Sequence, residues 1–258
     1  MSDLFLCLDT ATPTARVAVL DGAGNVRFSA EATAERHSSH VLPLCAEALR
    51  AVGIAPGELA GIACGGGPGS FTGLRVGLST VKGLALPTGV PLYVVSSLHA
   101  MALDIIVSGT LGGFPNPPAM VRGEQSSPAP HAMDARSSAT ATAVPCLDAG
   151  KGEIYVGGYV ADNEALVRET AADCRIAAGA FAEWLTALDG PSPAIAGNGA
   201  ERHAVAGRVA VAGPSAVSVG RLALLQRRRG EAANLATAVP IYGRPPDITV
   251  KKTARRTE

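Results

Sequence analysis

The chain has 258 residues, 47% hydrophobic and 17% charged, enough for one or two globular domains with ample core. Its 22 basic and 22 acidic residues cancel, so the surplus with which a nucleic-acid binder neutralises phosphates is missing overall. Five scattered cysteines without a Cys-x-x-Cys pair argue against a zinc site and for free thiols in a reducing compartment. No secretory leader and no apolar run of membrane-spanning length stand out, so the expectation is a cytoplasmic protein.

The apolar run 4–8 ends at Asp9, the pattern of a strand buried on both faces. A turn at 9–13 leads to strands at 16–20 and 26–30, joined by the hairpin connection Asp21-Gly22-Ala23-Gly24-Asn25. His37-Ser38-Ser39-His40 offers caps to a helix in which Val41, Cys45, Ala48 and Val52 share one face. Pro43 falls in its first turn and Gly53 stops it.

A strand-like segment at 59–64 then runs into Cys64-Gly65-Gly66-Gly67-Pro68-Gly69-Ser70-Phe71-Thr72-Gly73-Leu74-Arg75. Five glycines and a proline in twelve residues exclude a helix or strand interior. Such a strand-to-helix turn presents backbone N–H groups that suit an anion or phosphate. The Gly-Lys-Ser/Thr ending of a P-loop is absent, and a tight helix-to-sheet connection is the plain structural alternative. Ser70 or Thr72 caps the next helix, whose apolar stripe is Leu74, Leu78, Val81 and Ala85. Gly73 and Gly77 form a bare face that lets another helix come close, within the molecule or across an interface.

A strand at 91–95 and a helix over 98–106, capped by Ser96 or Ser97, complete a first lobe at 1–106. Residues 107–142 carry scattered Pro, Gly, Ser and Ala with no apolar period and read as an insertion or linker. A second lobe at 143–213 repeats the opening. Leu147-Asp148-Ala149 matches Leu8-Asp9-Thr10-Ala11, and a strand at 153–160 follows a Lys151-Gly152 turn. A helix at 178–188 and a short strand ending in a Gly197-Asn198-Gly199 turn come next. From 214 to 258, a helix capped by Ser215 and stopped by Gly230 packs back on the lobes, with a tail beyond.

In order along the chain, Leu8-Asp9-Thr10-Ala11-Thr12, Arg36-His37-Ser38, the run from Gly67 to Arg75, Leu147-Asp148-Ala149, Gly197-Asn198-Gly199 and Pro240-Ile241-Tyr242 with Arg244 resemble the bacterial TsaB (YeaZ) family. The resemblance implies an α/β, two-lobed actin/Hsp70/sugar-kinase-like (ribonuclease H-like) fold with mixed sheets flanked by helices. It implies a non-catalytic partner of a TsaD-type threonylcarbamoyl transferase, required for N6-threonylcarbamoyladenosine in tRNA. A TsaE-type ATPase joins that assembly and tRNA is met through the complex. The resemblance implies no cofactor of the chain's own and leaves room for ATP or ADP at the interface of the complex. Pairing through the helices after His37 and Thr72 puts His37, His40, Leu42, Cys45, Thr72, Arg75, Val76, Gly77 and Val81 at the partner interface; an apolar surface of this kind also allows a homodimer when the partner is absent. One departure is Gly243, where the family usually has a bulky apolar residue.

Asp9, Thr10, Thr12, Gly67, Gly69, Ser70, Asp148, Gly197 and Gly199 occupy positions like the nucleotide and phosphate loops of that superfold. They motivate a second reading, an active ATPase or phosphotransferase. Against it, Asp9 lacks a following glycine to crowd a phosphate, and such hairpin residues more commonly cap turns. His37 and His40 lack a third metal ligand nearby, and no matched His activates Cys64. Direct tRNA contact through the basic tail, Lys251-Lys252 with Arg255-Arg256, is a third reading.

Overall fold

The computed structural model describes residues 2–33, 40–110, 142–161, 167–188, 193–203, 211 and 213–243. His37, most of the Pro-rich stretch, Arg244 and the basic tail lie outside the described residues.

β1 (Leu4–Asp9), β2 (Thr14–Asp21), β3 (Val26–Thr33), β4 (Gly61–Gly65) and β5 (Leu92–Val95) form one sheet in the order β3-β2-β1-β4-β5. The first three are antiparallel; β4 and β5 run parallel to β1. β6 (Thr142–Gly150), β7 (Glu153–Ala161), β8 (Val167–Ala177) and β9 (Ala194–Ala196) form a second sheet in the order β8-β7-β6-β9. Its pairings repeat those of the first sheet strand for strand, with no counterpart of β5 among the described residues. The chain is thus a two-lobed α/β fold of the actin-like kind, and the resemblance between Leu8-Asp9 and Leu147-Asp148 is a structural duplication.

Why β1 is apolar throughout is visible in the layers. Phe5 and Cys7 point to one face of the sheet, into a core shared with α3 (Ser97–Thr110), α6 (Ala216–Arg229) and Leu147, Tyr155 and Tyr159 of the second sheet. Leu6 and Leu8 point to the other, into a core roofed by α1 (Val41–Val52) and α2 (Phe71–Thr88). The outer face of the second sheet, with Val144, Cys146, Ile154 and Val156, is covered by α4 (Phe181–Thr186) and α5 (Asn198–Arg202). A strand with both faces buried has no solvent side on which to place polar residues. The central layer is exchanged between the lobes: α3, from the first half, packs on β6, and α6, from the end of the chain, packs on β1, β2, β4 and β5.

Local signals place the helix ends. Gly53 and Gly230 adopt the left-handed conformation that closes α1 and α6. Ser70 caps α2 by accepting the Gly73 N–H, and Ser215 caps α6 by accepting that of Ser218. The Ser96 hydroxyl accepts the His99 N–H at the start of α3. Three expectations change. His40 sits at the N-cap of α1 without a side-chain cap bond. The helix expected at 178–188 is a 3-10 turn followed by the short α4, and Gly197-Asn198-Gly199 opens α5 rather than ending in a turn. Among the described residues no helix is long and apolar enough to cross a membrane.

Candidate functional site

Asp9 ends β1 and is fully buried. Its Oδ1 accepts the Ala11 N–H at 2.8 Å, and its Oδ2 accepts the Ser97 hydroxyl at 2.7 Å. Ser97 Oγ in turn accepts the Gly67 N–H at 3.2 Å, and the Ser97 N–H donates to the Gly67 carbonyl at 2.8 Å. A side chain at Gly65 would overlap Asp9 Oδ2, so backbone is pressed directly against the carboxylate. Burial pushes the Asp9 pKa up to about 6, against the lowering influence of the Ala11 N–H, the Ser97 hydroxyl and Arg16; Asp104 adds to the rise. Asp9 is therefore a tie between β1 and the Gly-rich turn.

The rest of the turn is used in the same inward way. The Ser70 N–H donates to the Ala11 carbonyl at 2.8 Å, and Gly69 lies so close to Ala11 that a Cβ would overlap its carbonyl oxygen. Gly67 has φ +105°, and a Cβ there would come within 2.7 Å of both the Ile241 carbonyl and Leu74. The Gly67–Pro68 peptide is cis. Thr12 accepts the Arg16 guanidinium at 3.1 Å, and Thr10 Oγ1 is buried without a hydrogen-bond partner. The bare face of Gly73 and Gly77 receives the Thr10 backbone and side chain, not another helix.

The second lobe repeats this arrangement around a more exposed carboxylate. Asp148 Oδ1 accepts the Gly150 N–H at 3.2 Å, the same turn-closing bond that Asp9 makes to Ala11, and Oδ2 accepts Arg202 at 2.8 Å. Asn198 accepts the Asp148 N–H at 3.0 Å. Gly197 has φ +118°, and Gly199 packs against β6 so tightly that a Cβ would lie 2.7 Å from the Leu147 carbonyl carbon. Each of the two carboxylates is held by hydrogen bonds from its own lobe. Among the described residues no three His, Cys, Asp or Glu side chains gather as a metal site. Cys64 is buried, and desolvation raises its thiol well above the usual range, with Asp9 and Cys45 adding to the rise.

Two further carboxylates, which sequence reasoning missed, lock the lobes. Asp104, in an otherwise apolar stretch of α3, accepts the N–H and hydroxyl of Ser215 at 2.8 and 2.7 Å and the Ser218 hydroxyl at 2.6 Å. Asp173 on β8 accepts the hydroxyls of Ser96, at 2.6 Å, and Tyr159. An acidic residue inside an apolar helix was the available signal for Asp104; β8 itself carried none.

The outward faces of α1 and α2 are of a different character. Leu42, Pro43, Ala46, Glu47, Arg50 and Ala51 are exposed on α1, and Phe71, Thr72, Arg75, Ser79, Gly83 and Leu86 on α2. Beside them runs the segment after α6. The Ala233 N–H bonds the Leu92 carbonyl at the edge of β5, Lys82 donates to Ala238, and the Ile241 N–H donates to Gly66 at 2.6 Å. Leu42, Leu86 and Val239 are more than half exposed, and Ile241 and Tyr242 are also open to solvent. Of the residues expected at an interface, His40, Leu42, Thr72 and Arg75 are exposed and Val76 is half-buried. Cys45, Gly77 and Val81 need correction: all three are buried, Cys45 and Val81 in the core beneath the helices and Gly77 against Thr10. Gly243 is explained by its surroundings, because a side chain there would overlap the Tyr155 ring.

A two-lobed α/β fold of the actin-like kind, with both hairpin carboxylates bonded within the chain, defines the class. Comparisons with known proteins find similarity over part of the chain. A family model described as "TsaD: tRNA N6-adenosine threonylcarbamoyltransferase" matches residues 28–127. Over 98 residues, 38% of this chain, the sequence is 39% identical to the tRNA threonylcarbamoyladenosine biosynthesis protein TsaB of Escherichia coli (strain K12), covering 42% of that protein. It is 31% identical over 99 residues to the protein of the same name in Bacillus subtilis (strain 168), with 38% of this chain and 43% of that one covered. The chain thus spans about two fifths of the length of these curated relatives. The solved structure of YeaZ from Pseudomonas aeruginosa superimposes with a TM-score of 0.69 at 24% identity, over 94% of this chain and 100% of that one, which shows the shared fold. Over the matched stretch the chain is similar to TsaB (YeaZ) proteins and to the threonylcarbamoyltransferase family.

Proposed function

We propose that the chain is a non-catalytic subunit that docks on a TsaD-type tRNA N6-adenosine threonylcarbamoyltransferase and supports formation of N6-threonylcarbamoyladenosine in tRNA. One contrast carries this reading. The backbone and carboxylates that would handle a nucleotide are bonded to each other, whereas the apolar side chains left over are displayed together on α1, α2 and the segment 238–242. Exposed apolar surface of that kind marks a site of association. The relatives support the choice of process and partner: TsaB proteins are named for biosynthesis of this nucleoside, and the transferase family model matches the stretch that contains both helices. Docking would then join related helices of two paralogues. A TsaE-type ATPase, tRNA met through the complex, any ATP or ADP held at the boundary between chains, and self-pairing of the face in the transferase's absence belong to the same proposal.

The test is calorimetric titration of the chain with its organism's transferase. Leu42→Asp and Leu86→Asp place charge on exposed positions, so the far-ultraviolet circular dichroism should stay unchanged while affinity falls at least about tenfold. Wild-type affinity in both variants would overturn the docking face.

A further inference from the structure

We propose that Arg75 is the charged anchor of the docking face and that the partner sets a carboxylate against it; the inference rests on the docking reading above. Arg75 is exposed on α2, yet its side chain is held in place. The guanidinium carbon lies 4.1 Å from the centre of the Phe71 ring and 5.9 Å from that of Tyr242, and Nε donates to the Tyr242 hydroxyl at 2.9 Å. The two rings are themselves 5.0 Å apart. Tyr242 is fixed by the Ile241 N–H bond to Gly66 next to it and, further back, by Lys82 bonding the Ala238 carbonyl.

What this cage lacks is an anion. Arg16, Arg175, Arg202 and Arg227 each pair with a carboxylate, whereas among the described residues none pairs with Arg75. Its Nε is engaged by Tyr242, beside the exposed apolar side chains of Phe71 and Ile241, which leaves the terminal nitrogens for a partner. A partner that covers Phe71, Ile241 and Tyr242 strips water from this guanidinium, and a desolvated charge without a counter-charge is strongly unfavourable. A carboxylate answers the planar fork with paired hydrogen bonds. Because stacking has already restricted the Arg75 rotamers, little side-chain freedom is lost when the pair forms.

Calorimetric titration of the full chain with the transferase, at 50 and 500 mM salt, tests the assignment. Arg75→Gln keeps much of the stem and removes the charge; Arg75→Glu reverses it. Affinity should fall about tenfold for the first and further for the second, with the salt dependence of binding reduced in both. Thermal melts should be unchanged. Leu42→Asp serves as the control for docking. If Leu42→Asp abolishes binding while both Arg75 variants bind within twofold of wild type, the carboxylate anchor is wrong and the docking face stands. If Leu42→Asp also binds normally, the docking reading itself falls. If binding is lost only for Arg75→Glu, the partner offers no paired anion and the inference is likewise overturned.

Discussion

Replacing Asp9 by Asn should make this protein more stable at neutral pH, although it removes a buried carboxylate that bonds two groups. Burial is the largest influence on Asp9 and raises its pKa from 3.8 to about 6, more than the Ala11 N–H, the Ser97 hydroxyl and Arg16 can reverse. A carboxyl whose folded pKa exceeds its unfolded one binds its proton more tightly in the native state. Its contribution is therefore fully present below about pH 4 and is lost as pH rises through 6. The step from 3.8 to about 6 corresponds to roughly 3 kcal/mol. Asn stays neutral throughout, keeps an oxygen for the Ala11 N–H, and offers an N–H to Ser97 Oγ. Wild type and Asp9→Asn should match near pH 4, with the variant gaining up to about 3 kcal/mol by pH 7.5. Urea unfolding of both proteins across that range reads the difference directly. Asp104 is buried with a raised pKa as well, and its own slope runs in the same direction in both proteins. A variant less stable than wild type at pH 7.5 would refute the reasoning, because it would mean the charge itself holds the turn.

The glycines of α2 should separate cleanly. Gly73→Ala drives a methyl into the Thr10 carbonyl and should lower stability by about 1–3 kcal/mol, whereas Gly83→Ala meets nothing within 4 Å and should raise it by about 0.5–1 kcal/mol; denaturant midpoints decide both. Val81→Asp places a charge at a fully buried position beneath the helices and should cost more than about 4 kcal/mol, seen as loss of soluble, cooperatively unfolding protein. A folded Val81→Asp chain that merely lost its partner would restore Val81 to the interface.

How far the fold could be read from the sequence depended on how local its causes are. β1, the Ser70 and Ser215 caps and the Gly53 and Gly230 stops are written in adjacent residues and appear where expected. β8 was not legible because it is an edge strand with Arg168, Glu169 and Thr170 exposed, which leaves no alternating apolar pattern. An apolar stripe at helical spacing shows that a helix buries a face but not what covers it. Cys45 and Val81 were therefore expected at a partner and instead meet the sheet. The bare face of Gly73 and Gly77 signalled a close approach, but the expected helix is replaced by a turn of the same lobe at Thr10. Asp9 was open to two readings, a metal or phosphate ligand by its type and position and, more commonly, a turn cap. Only the third dimension brings Ser97, 88 residues on, to its second oxygen. The segment ending in Ile241 and Tyr242 was legible as a motif but not as a strap across the Gly-rich turn, since its bonds reach Gly66 and Arg75 far back in the chain.

Quantitative nucleoside mass spectrometry of tRNA treated with the reconstituted transferase system tests the central claim most directly. N6-threonylcarbamoyladenosine should form when this chain is added, form equally well with Asp9→Asn, and fail to form with Leu42→Asp. A folded Asp9→Asn chain that docks normally but supports no modification would contradict the account, because it would place Asp9 in the chemistry instead of in the architecture.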